Sequence, residues 1–306
     1  MKFLRLILVL FFAAAPIAAG HAAEPADGKK AKTVDELAQM YNVSSCKQCH
    51  ATIYEEWEKS IHSRSLIGTG RTIGGFKGMI TGGLMGAFTK TGVKDVKDVK
   101  VEHLQWCFKC HLPQIKDATD EVAQQLAKAF VDADRTTLAK VNINCIVCHN
   151  TKAIVHKWQD GEPDKDVIYG GKDGAHCDKD GNCDKVYTKM KKSVIMNESV
   201  MCGQCHGLGP NFEFPQPSQC ATLYGSYLHS YIPAGGTATC QNCHMGKDAK
   251  GHTMPAYRDP DMAKRAVDVD VITNGYKFLL KVGDSIPMAV VTVKLTNNAG
   301  HRIPDG

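Results

Sequence analysis

The sequence predicts a mainly α-helical and irregular fold packed around bulky apolar groups other than side chains, ending in a short β segment. Three observations predict it. One short pattern, Cys-x-x-Cys-His, occurs five times. Aromatic residues make up only 7% of the 306, few for a chain that must fill a large core with side chains alone. The apolar period changes from helical spacing to strict alternation only near the C-terminus.

The five copies are Cys46, Cys49 and His50; Cys107, Cys110 and His111; Cys145, Cys148 and His149; Cys202, Cys205 and His206; Cys240, Cys243 and His244. This is the attachment motif of haem c. Two thiols three residues apart can add to the two vinyl groups on one porphyrin edge, and the histidine that follows reaches the iron as its proximal ligand. Zinc sites also use paired cysteines, but they do not require a histidine after every second one. A disulfide framework gives no reason for the histidines either. Five covalent haems c therefore organise the expected fold. The motif cysteines begin at 46, 107, 145, 202 and 240, so gaps of 61, 38, 57 and 38 hint at an internal duplication.

The N-terminus reads as an address. Lys2 and Arg5 precede the apolar run 6–15, and Gly20, Ala22 and Ala23 supply small residues for cleavage. Pro16 leaves the run shorter than the roughly 20 residues a membrane span needs. Residues 1–23 are thus expected to be a signal peptide, 24–43 a linker, 44–260 a pentahaem domain and 261–306 a C-terminal β segment. That β segment reads as an incomplete β domain, because two strands alone are marginal in water. Export places the protein in the periplasm or at the outer surface of a bacterium, with no transmembrane segment in the mature chain.

Charge excludes one class of partner. The formal charge is +5, but losing Lys2 and Arg5 and gaining ten haem propionates brings the mature protein to about −7. Nucleic-acid binding is not expected.

Helical spacing is clearest over 51–63, where Ile53, Trp57 and Ile61 share one face, and over 121–141, where Val122, Leu126 and Phe130 do. Residues 72–88 hold six glycines and read as a flexible loop. Alternation marks strands at Phe278, Leu280 and Val282 and at Val291, Val293 and Leu295.

The sixth ligand of each iron separates a carrier from an enzyme. Distal candidates are, in order, His62, His252, His301, His156, His103 and His229. His176 ranks below them, in a polar segment beside Cys177. His62 lies about 18 Å along a helix from His50, whereas two ligands of one iron are about 4 Å apart. It must therefore serve a neighbouring haem, and the same reasoning applies to His156 and His149. Met201 and Met245 are further possible ligands, more readily explained by packing. Cys177 and Cys183 are expected to form a disulfide. Cys220 has no evident mate and reads as buried and inert, with a thiolate ligand as the sharper alternative.

The run from Cys46 to Ser63, with Glu56, Trp57, Ser60 and His62 after the motif, resembles the first haem of bacterial multihaem cytochromes. That superfamily includes the tetrahaem acceptor of ammonia oxidation, the pentahaem nitrite reductases and the octahaem hydroxylamine oxidoreductases. Cys240 to Met245 with His252, and Asn298 to Gly306 around His301, are similar to segments of large cytochromes of metal- and sulfur-respiring bacteria. In those, the last histidine is a distal ligand at the edge of a β domain. The resemblance covers residues 44–306 in patches. It implies close haem stacking, electron transfer in respiration, and redox partner proteins such as a quinol dehydrogenase or other cytochromes. The C-x-x-C-K motif of the nitrite reductases' catalytic haem does not occur. The expectation is an electron carrier without catalytic residues; a multihaem reductase with one open haem and an oligomeric extracellular filament are the alternatives.

Overall fold

The computed structural model describes residues 30–86, 90–154, 162–207, 222–247, 251–281 and 284–303. Calls on the signal peptide, on His156 and on Cys220 lie outside the described residues.

The core is helical. In order come α1 (Val34–Met40), α2 (Cys46–Cys49), α3 (Ala51–Lys59), α4 (Arg71–Gly78), α5 (Val101–His111), α6 (Asp120–Val131) and α7 (Arg135–Ala139). The face of α6 carrying Val122, Leu126 and Phe130 is fully buried. It packs with Leu104 and Phe108 of α5 and Ile73 and Phe76 of α4, as an apolar stripe at helical spacing should. Phe76, Phe108 and Phe130 meet at 4.7–6.1 Å between ring centres.

Four expectations need correction. Within the expected linker 24–43, residues 30–43 are built into the fold: Thr33 caps α1 by accepting from Glu36 N at 3.1 Å, and Val34 and Leu37 join the core. Residues 72–88 begin as α4 and a π-helical turn, Met79–Leu84. Each glycine costs a helix about 1 kcal/mol relative to alanine, but Ile73, Phe76, Ile80 and Leu84 form a buried stripe that offsets it. The helix expected over 121–141 is broken at Ala133, where φ is +56°, and Asp134 restarts it by accepting from Thr136 N and Thr137 N. That of 51–63 stops at Lys59, because Ser60 is extended. Its Trp57 is buried, but Ile53 and Ile61 are exposed.

Beyond residue 141 regular structure thins out. A small sheet has the order β1–β3–β2, with β1 (Val167–Gly170) parallel and β2 (Gly174–Ala175) antiparallel to β3 (Lys189–Lys192). Short helices α8 (Ser199–Gly203), α9 (Leu223–Ser226), α10 (Cys240–His244) and α11 (Pro260–Ala266) follow. A long antiparallel hairpin of β4 (Val267–Lys281) and β5 (Asp284–Asn297) comes last. Its cross-strand pairs Val269–Leu295 and Val271–Val293 are exposed on one face, and Tyr276–Met288 on the other. Among the described residues no helix is long and apolar enough to cross a membrane.

Candidate functional site: paired imidazoles beside cysteine pairs

Each Cys-x-x-Cys segment lies in helical or turn backbone. Cys46–Cys49 is one short helix, whose carbonyl at Cys46 accepts from His50 N at 2.8 Å. Cys240–His244 is another, closed by a reciprocal cap. Thr239 Oγ1 accepts from Asn242 N at 3.2 Å, and Asn242 Oδ1 accepts from Thr239 N at 2.8 Å.

Four motif histidines face a second imidazole from far along the chain. His50 meets His176 at 6.1 Å between ring centres, and His62 meets His206 at 6.3 Å. His149 meets His252 at 6.4 Å, and His244 meets His301 at 6.2 Å. Two Fe–N bonds of about 2 Å, with each ring centre about 1 Å behind its nitrogen, put axial imidazoles about 6 Å apart. All four pairs have that separation. The first, third and fourth are near-parallel, at 13°, 22° and 16°, and the second is crossed at 80°. Rotation about a common axis permits both.

Hydrogen-bond polarity sharpens the fit. Nδ1 of His149 lies 2.9 Å from Tyr169 O, and that of His176 lies 2.9 Å from Tyr187 O. For His244 the partner is Pro255 O at 2.8 Å, and for His301 it is Arg302 O at 3.0 Å. A carbonyl only accepts, so each Nδ1 carries the proton and Nε2 keeps its lone pair for a metal. Burial also keeps rings neutral. It lowers the His62 pKa to about 4, with His206 adding to the effect, and it lowers those of His149, His111 and His252.

Three of the distal candidates fall outside these pairs. In His103 the polarity is reversed: Nδ1 accepts from Lys100 N at 3.0 Å, closing the N-terminus of α5. The neutral ring then carries its proton on Nε2, so this histidine is a helix cap. His229 is exposed and pairs with no ring among the described residues. His156 lies outside them. Conversely, His176, ranked below the candidates, faces His50. The usable signal was its neighbour: Cys177 is bonded to Cys183, and the closed loop presents the histidine.

The motifs also touch one another. Cys46 lies beside Cys145, Cys110 beside Cys205 and Cys202 beside Cys240. Cys148 lies within electrostatic range of Cys202 and Cys205. Glutamines inside the motifs act as staples that the sequence did not reveal. Gln204 Nε2 donates to Lys152 O at 2.7 Å, and Gln241 Nε2 donates to Glu198 O at 2.8 Å.

His111 differs. Its ring lies 5.1 Å from Phe76 at 88°, too close for an iron between them. Phe76 therefore flanks His111, and among the described residues no imidazole pairs with it.

Residues 45–72 match the family model described as cytochrome c554 and c-prime. The match supports a c-type cytochrome. That family implies covalent haem c and suggests electron transfer, and the paired thiols beside lone-pair-bearing imidazoles fit that group. No curated protein and no solved structure matches the chain.

Proposed function

We propose that the chain is a five-haem electron carrier of bacterial respiration, exported to the periplasm or the cell surface, that exchanges electrons with redox partner proteins. The observation that carries this reading is the set of four imidazole pairs at 6.1–6.4 Å. Haem c supplies a reversible one-electron couple when bound. The ten motif cysteines would anchor it, and His50, His111, His149, His206 and His244 would be proximal ligands. His176, His62, His252 and His301 would close four irons against substrate. Cysteines of different motifs lie side by side, Cys46 with Cys145, Cys110 with Cys205 and Cys202 with Cys240. Such contiguity suits electron relay.

Replacing His62 by alanine tests the assignment. The loaded protein should show one additional high-spin ferric haem per chain, and it should map to the peptide carrying Cys202 and Cys205. A change on the peptide carrying Cys46 and Cys49 would contradict the crossed pairing. Intact mass should retain five haem increments after acid-acetone extraction.

A second reading, a multihaem reductase, has one observation in its favour: His111 has no imidazole partner among the described residues. If the iron there is open, the reduced wild-type protein should bind one CO per chain. No CO binding would remove this reading.

A further inference from the structure

The four imidazoles opposite the motif histidines are held in different ways. His62 is packed among neighbouring segments, and its carbonyl accepts from Ile143 N at 3.1 Å. His252 is fixed by its backbone N–H, which donates to Glu56 Oε2 of α3 at 2.9 Å. His176 has no comparable bed. It follows β2, which is only Gly174–Ala175, with both residues exposed. So short a strand cannot hold an edge in register by itself.

What does hold His176 comes from one place. Its N–H donates to Thr188 O at 3.0 Å, its carbonyl accepts from Asp184 N at 2.9 Å, and its Nδ1 donates to Tyr187 O at 2.9 Å. All three partners lie on the returning arm of the loop, at residues 184–188. The covalent tie between the two arms is Cys177–Cys183, immediately beside His176 on one arm and Asp184 on the other. Asp178 accepts from Asp180 N at 2.9 Å and from Asn182 N at 2.8 Å, which shapes the loop tip beyond the disulfide. Cys183 is exposed, so a reductant can reach it.

We propose that the Cys177–Cys183 disulfide is the positioning latch for His176, holding its imidazole opposite His50, and that its reduction releases that one imidazole. The step is a thiol–disulfide exchange: a dithiol gives two electrons and two protons, the S–S bond becomes two thiols, and the dithiol closes to its own disulfide. Cys177 and Cys183 are positioning residues; neither is a ligand. The inference rests on the proposed reading that His50 and His176 are axial partners.

The test uses the loaded protein. The double variant Cys177→Ser/Cys183→Ser should keep every haem by mass and show one more high-spin ferric haem per chain than wild type. It should also bind one more CO per chain after reduction. His176→Ala with the disulfide intact should give the same gain, and combining it with the double variant should add nothing. Mature wild type treated with dithiothreitol, alkylated at both thiols and reoxidised with ferricyanide should match the double variant, which avoids any dependence on variant folding. A wild-type spin state and CO stoichiometry in either the double variant or the alkylated protein overturns the latch. No gain in His176→Ala would overturn the axial pairing itself, whereas a gain there with none in the double variant overturns only the latch, so the two failures are distinguishable.

Discussion

The helical layer before residue 142 and the motif-rich region after it hold their chains by different means. In the first, Leu104, Phe108, Leu112, Ile115, Val122, Leu126, Phe130 and Leu138 are fully buried in one cluster. In the second, the buried hydrophobics among the described residues are Ile146, Val147, Ala153, Val167, Tyr169 and Ile195, in small separate groups. Yet three of the five motifs and six of the eight paired imidazoles lie there. Burial of apolar area is the main favourable term in folding. A region with so little of it needs other ties: the disulfide, the glutamine staples and the groups its thiols would anchor. The comparison predicts that the first region orders itself, while the second would depend on the groups its thiols anchor.

The largest effect should come from withholding haem. A chain produced without attachment should lose protease resistance after residue 142 first, while a fragment covering 30–141 persists. Equal digestion of both regions would break the comparison. Next in size is Phe130→Ala, which should cost about 3–5 kcal/mol by opening a cavity among Phe76 and Phe108. Denaturant unfolding of the loaded protein measures it, and the imidazole-pair spectra should not change. The smallest is Thr239→Ala, which removes the cap of α10 and should cost about 1 kcal/mol. A loss well above that would mean that the motif region draws more on local helix structure than its sparse core implies.

How much was legible divides along the same lines. The face of α6 was readable because Val122, Leu126 and Phe130 repeat at helical spacing against a side-chain core. The helix at Arg71–Gly78 was not, because its glycines argue locally for a loop while its buried stripe acts only once α6 is in place. The crossed role of His62 was readable as a prohibition: it could not reach the iron beside His50. Its partner, His206, was not.

The sequence by itself pointed to haem c and to the residues that would anchor it, because thioether attachment needs two thiols and a histidine within five consecutive residues. Only the tertiary structure decided which imidazoles meet. The pairs join His50 to His176, His62 to His206, His149 to His252 and His244 to His301. Separations that long leave no local pattern, and a histidine's tautomer is set by the group that happens to lie against its Nδ1. A donor there made His103 a helix cap, and a carbonyl there made His176 a candidate ligand.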